Sequence, residues 1–473
     1  MLFNTLAYAL FFAVVFLVSW SLVRVRKLRV VFLLAASYFF YAHWDYRFLP
    51  LIFISSTGDW LLGNAIAAAK TQRSRKLWLI ATIILNLGLL GFFKYANFAI
   101  DSTRALLQGF GFEPPDVALR VALPVGISFF TFESMSYVID VYRGHIKPHR
   151  SYIEYLTFVA FFPHLVAGPI VRPRDLLPQL GGEPRFSAEA GMEGLFLIAV
   201  GLTKKVAIGD YLALNLVDRV FESPAGYSSV EVYAAVIGYA LQIYCDFSGY
   251  TDIAIGSALL LGIRFPKNFD APYSAVDIVD FWRRWHISLS TWLRDYLYIP
   301  LGGNRRGRAR TYANLMITML LGGLWHGASW TFVVWGGIHG AALALTRAWR
   351  EWRGESGSLL PGGIGRVAGI LFTFHLVCAA WIFFRADSFA KARLIFERLA
   401  EGTTHHVNLD ARVLAVLALG LASHYVPDKQ FEAAKQGFSR LPVPAQAALL
   451  FGVLVLLQKF ASAEAVPFVY FQF

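Results

Sequence analysis

Met1-Leu2-Phe3-Asn4-Thr5-Leu6-Ala7-Tyr8-Ala9-Leu10-Phe11-Phe12-Ala13-Val14-Val15-Phe16-Leu17-Val18-Ser19-Trp20-Ser21-Leu22-Val23 contains no charged side chain, and Arg24-Val25-Arg26-Lys27-Leu28-Arg29 follows it at once. A hydrocarbon core about 30 Å thick is crossed by roughly 20 mostly apolar helical residues. The stretch is long enough, it lacks the basic start of a secretory leader, and it outruns a short cleavable apolar core. It reads as a retained first membrane span.

The rest of the chain repeats this pattern. Of 473 residues, 57% are hydrophobic and 16% charged, where a soluble domain carries about 25% charged residues; the mean hydropathy is +0.52. Mostly uncharged runs predict spans at 5–23, 30–46, 48–69, 77–95, 121–139, 190–209, 229–245, 311–331, 332–346, 366–384, 411–425 and 442–460. The formal net charge of +12 is gathered in short runs between them, such as residues 24–29 and Lys70-Thr71-Gln72-Arg73-Ser74-Arg75-Lys76. Short basic loops of this kind are held in the cytoplasm, so the basic balance signals topology rather than nucleic acid, and the N-terminus falls on the periplasmic side. Cys245 and Cys378 lie far apart in apolar stretches, which leaves neither a disulfide framework nor a CxxC metal site.

Two regions break the simple pattern. Leu156 to Ile170 contains Phe161-Phe162-Pro163-His164-Leu165-Val166-Ala167-Gly168-Pro169. Non-helical backbone at membrane depth survives only inside protein or beside water, so a re-entrant element is expected. Lys267 to Asn304 mixes aromatics with Arg283, Arg284, Arg294 and Asp295, and charges in such a setting face a bundle interior. With no repeat, low-complexity tract or soluble-sized polar segment, residues 1–473 read as one all-α polytopic membrane domain.

Eleven histidines are present. His145, His149, His405 and His406 fall in polar loops, and His43 and His424 near span ends, where a solvated or interfacial role suffices. His164, His286, His326, His339 and His375 fall in apolar or interrupted segments, where an ionisable group is a functional candidate. His326 stands out in Leu321-Gly322-Gly323-Leu324-Trp325-His326-Gly327-Ala328-Ser329-Trp330, whose glycines permit close backbone approach. His286 is its natural companion in Asp280-Phe281-Trp282-Arg283-Arg284-Trp285-His286-Ile287-Ser288-Leu289-Ser290; at continuous helical spacing Trp282, His286, Ser290 and Leu293 share a face. Asp246-Phe247-Ser248-Gly249-Tyr250-Thr251-Asp252 reads as a polar network pinning two helices rather than as chemistry, since buried polar groups need partners anyway. No P-loop, HExxH or GxSxG motif occurs, and Gly363-Ile364-Gly365-Arg366-Val367-Ala368-Gly369 misses GxGxxG by one residue.

Taken in order, Pro124-Val125-Gly126-Ile127-Ser128-Phe129-Phe130-Thr131-Phe132, Phe161-Phe162-Pro163-His164 through Gly168-Pro169-Ile170, Asp246-Phe247-Ser248-Gly249-Tyr250, Phe281-Trp282-Arg283-Arg284-Trp285-His286 and Leu324-Trp325-His326-Gly327 resemble the membrane-bound O-acyltransferase (MBOAT) family. The resemblance is to its bacterial alginate O-acetyltransferase (AlgI-like) branch, related to the D-alanyl transfer protein DltB, and it runs to the closing Pro467-Phe468-Val469-Tyr470-Phe471-Gln472-Phe473. It implies an MBOAT-type ring of transmembrane helices with re-entrant segments around a central funnel, in a multi-pass protein of the bacterial inner membrane.

For the chemistry, the resemblance implies an acetyltransferase with His326 as the family histidine and His286 as the second, polar position, and with Trp282, Arg283, Trp285, Ser290 and Trp325 as substrate-binding residues. The donor would be acetyl-CoA or another acyl thioester on the cytoplasmic side, with no bound cofactor and no metal. The acceptor pathway would lead to an exopolysaccharide, alginate- or cellulose-like, through periplasmic or membrane-anchored acetyltransferase partner proteins. Peptidoglycan, teichoic acid or a lipid as acceptor, and a transporter of acyl groups or polymer, remain the alternatives. His326 would act as general base, with His286 or a backbone N–H near Gly322 and Gly323 contacting the oxyanion, or would itself be acylated; the residues alone do not separate these routes. The three tryptophans around the histidines favour a small acyl group.

Overall fold

In a computed structural model, residues 1–114, 120–354, 362–462 and 466–469 are described, and no strand occurs among them. Tyr470 to Phe473, the end of the closing motif, lie outside the described residues. Each predicted span overlaps a helix, for example Leu6–Ser21, Arg26–Asp45, Leu49–Ala68, Ala188–Leu202, Gly362–Arg385 and Val443–Gln458, but the span predicted at 121–139 becomes helical only over Ile127–Arg143, and the one at 311–331 runs past the helix end at His326. By length and composition the continuous helical stretches Arg26–Ala68, Gln72–Gly109 and Gly362–Arg385 are able to cross a membrane alone, whereas Leu6–Ser21, Ala411–Ser423 and Val443–Gln458 are apolar but shorter. Leu10, Leu17, Ile54, Ile84, Phe372 and Leu454 are exposed on these helices, as lipid-facing positions must be. Cys245 and Cys378 are buried free thiols.

The chain divides into two compact units, one formed by Met1, Thr5–Ser187 and Ala258–Phe265, the other by Leu2–Asn4, Ala188–Ser257 and Pro266–Phe473.

In the first unit, part of the basic run after the opening helix is structural. Arg29 is buried and donates to the Ser19 hydroxyl at 2.9 Å and the Leu261 carbonyl at 2.6 Å. The helix Tyr152–Ala160 ends at Phe161, and a single turn, Phe162–Leu165, follows before the chain leaves helical geometry. The family-like motif around Gly126 packs here: Gly126 has φ 76°, and a Cβ on it would stand 2.8 Å from the Leu165 carbonyl oxygen. His164 and Glu133 are both fully buried, with Nδ1 and Oε1 2.9 Å apart, and Glu133 also accepts from the Val171 N–H at 3.0 Å. These contacts hold the interrupted segment in the interior.

In the second unit the polar cluster at 246–252 pins neighbouring helical segments. Lys205, 1% exposed, lies 2.6 Å from both Asp210 and Asp246, and Lys204 lies 2.7 Å from Asp252. Asp246 also accepts the Val469 N–H at 2.7 Å, which seats Phe468 against Tyr250, ring centroids 4.6 Å apart. The helices Arg308–His326 and Trp330–Arg353 cross closely, because a Cβ at Gly323 would overlap the Phe332 carbonyl and one at Gly336 the Met319 carbonyl. The glycines of the Gly322-Gly323 motif therefore serve helix packing. Residues 327–329 separate the two helices, and the Ser329 hydroxyl caps the second by accepting from the Thr331 N–H at 3.3 Å.

Candidate active site

The segment from Asn268 to Leu293 builds one wall of the site in the second unit. Asp277 starts the helix Ile278–Arg284 by accepting the Val279 and Asp280 N–H groups, both at 2.9 Å, and is itself paired with Arg350. The helix stops after Arg284, His286 takes a left-handed φ of 43°, and a second helix runs Ile287–Leu293. The continuous helix expected from spacing is therefore broken at His286, and the predicted shared face of Trp282, His286, Ser290 and Leu293 does not form. Instead the Ser290 hydroxyl donates to the Trp285 carbonyl at 3.0 Å.

Asn268, eighteen residues earlier, explains the break. Its carbonyl accepts the Ile287 N–H at 2.8 Å, and its side-chain oxygen accepts the Ser288 N–H at 3.1 Å and the Ser288 hydroxyl at 2.8 Å. Two residues on, the Asp270 N–H takes the Arg284 carbonyl at 2.9 Å. One loop thus caps the end of the first helix and the start of the second. These bonds offset the roughly 1–2 kcal/mol that a left-handed non-glycine residue costs.

The same oxygen defines the tautomer of His286. A backbone N–H only donates, so the Asn268 atom facing Ser288 is the carbonyl oxygen, and that oxygen lies 3.2 Å from His286 Nδ1. In the neutral ring the proton sits on Nδ1 and the lone pair on Nε2. Nε2 is buried and has no hydrogen-bond partner among the described residues. His286 is fully buried against Phe247 at 4.6 Å and Trp325 at 6.0 Å between centroids.

Trp325 joins this imidazole to the next. His326 ends its helix, is 4% exposed, and meets Trp325 and Trp335 at 5.0 Å each and Phe384 at 5.3 Å. Beyond Trp335 lies His339, ring centroids 4.7 Å apart and 1% exposed. Trp285 is fully buried and tilts against Trp381 at 5.1 Å, and Trp282 packs on His339 at 5.2 Å. Of the candidates, His286, His326, Trp282, Trp285 and Trp325 thus come together in one aromatic enclosure. Arg283 is exposed, and Ser290 is half-buried with its hydroxyl committed.

His164 belongs to the first unit, and His375 lies exposed on its helix, bonded to the Tyr233 hydroxyl at 2.7 Å. His424 is buried and accepts the Tyr273 N–H at 2.8 Å, so it holds the wall rather than lying at an interface. Asn268 escaped the sequence reading because nothing local marks it. No cluster of His, Cys, Asp and Glu suited to a metal occurs among the described residues.

Comparison with known proteins identifies the family. Residues 127–385 match the profile of the membrane-bound O-acyltransferase family. The chain is 44% identical to a probable alginate O-acetylase AlgI of Azotobacter vinelandii over 82% of its own length and 76% of that protein's. It is 42% identical to the probable alginate O-acetylase AlgI of Pseudomonas aeruginosa over 89% and 79%. It is 37% identical to a peptidoglycan O-acetyltransferase of Helicobacter pylori over 76% and 72%.

Proposed function

Because the chain belongs to the membrane-bound O-acyltransferase family and is an O-acyltransferase, we propose that it moves an acetyl group from a cytoplasmic thioester, acetyl-CoA or an acyl carrier, toward an extracytoplasmic polysaccharide. In this reading residues 1–473 act as one catalytic domain of the inner membrane, with helices ringed about a central funnel and the segment 156–170 re-entrant. Periplasmic or membrane-anchored partners complete the transfer to an alginate- or cellulose-like polymer. The likeness to alginate O-acetylases supports the polymer class; the likeness to a peptidoglycan O-acetyltransferase favours peptidoglycan as the second choice.

The observation that carries the proposal is the packing of both His286 and His326 against Trp325 among buried aromatic side chains. In the proposed step neutral His326 takes the proton of an acceptor hydroxyl as its oxygen bonds to the thioester carbonyl carbon. The tetrahedral intermediate then collapses, the C–S bond breaks, and the proton passes from the imidazolium to the leaving thiolate. His286 Nε2, an acceptor in the neutral ring, takes a hydrogen bond from a second hydroxyl of the acceptor sugar and so orients it, rather than binding the oxyanion. The N–H groups of Gly322 and Gly323 lie within a helix, where they are engaged with the preceding turn. Trp282, Trp285 and Trp325 confine a small acyl group, and exposed Arg283 meets an anionic part of the substrate.

His326→Ala tests the reading. Positioned proton transfer contributes about 10²–10⁴-fold, so envelope acetyl ester should fall at least that far while the variant accumulates in the membrane. Undiminished acetylation would remove His326 from the chemistry.

A further inference from the structure

If His286 accepts and the Gly322 and Gly323 N–H groups are engaged, a donor for the acyl carbonyl oxygen must come from elsewhere in the enclosure. His339 has the right polarity. The Trp282 indole N–H donates to His339 Nδ1 at 3.3 Å. An indole N–H cannot accept, so Nδ1 presents its lone pair and the proton of the neutral ring sits on Nε2. That N–H is buried in a residue 1% exposed and has no hydrogen-bond partner among the described residues.

An unmade bond at a buried polar group is destabilising, and a bound oxygen would relieve it. The ring also occupies the right neighbourhood, since Trp335 meets His326 at 5.0 Å and His339 at 4.7 Å. His286 and His339 are thus wired oppositely: Asn268 makes His286 an acceptor, and Trp282 makes His339 a donor.

We propose that His339 Nε2–H binds the acyl carbonyl oxygen and steadies the negative charge that develops on it, a role that rests on the acyl-transfer reading above. His339 keeps its proton throughout, so no bond to it forms or breaks.

The test measures the initial rate of acetyl ester incorporation into the cell envelope, in cells whose only copy is the full-length variant, with membrane levels and detergent unfolding temperatures measured alongside. Loss of one oxyanion donor typically lowers kcat about 10²–10³-fold. His339→Ala and His339→Leu should show a loss of that size, and His339→Gln, which keeps an N–H donor, should recover most of the rate. A wild-type rate in His339→Ala, or equal loss in all three variants, overturns the proposal. His326→Ala run in parallel separates the two readings: its loss beside an active His339→Ala sinks this inference alone, whereas its full activity sinks the acyl-transfer reading. If His339→Ala fails to accumulate, Trp282→Phe decides, since it keeps an aromatic side chain but removes the hydrogen bond that places the proton on Nε2. That variant should slow the reaction, and a wild-type rate would overturn the proposal.

Discussion

The side-chain oxygen of Asn268 lies 3.2 Å from Nδ1 of His286 and is anchored there by both the N–H and the hydroxyl of Ser288. One amide therefore sets the backbone break and the tautomer together.

Asn268→Ala removes the acceptor shared by these donors. We expect an initial rate of envelope acetylation lower by about 10²-fold, short of the ~10⁴-fold that follows lost tautomer control in a serine-protease triad, because Phe247 and Trp325 still hold the imidazole. The lost cap should also cost about 1 kcal/mol of stability. Asn268→Asp keeps the acceptor and should retain more activity; equal loss in both variants would argue against tautomer control.

Gly336 and Gly337 are adjacent on one helix but differ in their surroundings. A Cβ at Gly336 would overlap the Met319 carbonyl, whereas one at Gly337 would meet a Leu320 methyl at 3.6 Å, an ordinary contact. Gly336→Ala should destabilise the purified protein by about 1–3 kcal/mol, read as a lower unfolding temperature in detergent, with Gly337→Ala near neutral. Similar shifts for both would mean that the crossing at Gly336 is not tight.

The stretch from Asn304 to Arg310, a loop running into the first turn of the helix Arg308–His326, carries Arg305, Arg306, Arg308 and Arg310, all exposed. Arg308 also reaches Glu351 at 3.2 Å. Clustered positive charge in a short loop opposes translocation, so a reporter inserted there should give a cytoplasmic signal. A periplasmic signal would invert the proposed orientation.

The same basic loops would draw an anionic, phosphate-bearing donor to their side by electrostatic steering. Sealed inside-out vesicles supplied with labelled acetyl-CoA or an acetylated carrier protein should transfer label without detergent, and right-side-out vesicles should not. Equal labelling of both preparations would put donor entry on the outer side.

The apolar runs, read for span length, located helices throughout, and the ordered motifs around Gly126, His164, Asp246, His286 and His326 identified the family. Both signals are local, because hydropathy and helical rise are properties of consecutive residues. Even the reading of 246–252 as a pin between helices followed from a general need, the pairing of buried polar groups, although Lys204 and Lys205 as its partners did not.

What the tertiary structure alone decided was the setting of the candidate side chains. Spacing put Trp282, His286 and Ser290 on one helical face, yet the helix breaks at His286 because capping groups arrive from Asn268 and Asp270 on another stretch of chain. Spacing let the glycines of the His326 motif face a substrate, yet Gly323 is filled by the backbone of the next helix. The proton on His339 is placed by Trp282, fifty-seven residues away. Helix formation is written in neighbouring residues, but a hydrogen bond that orients an imidazole needs a donor or acceptor within about 3 Å, and only folding brings such distant partners that close.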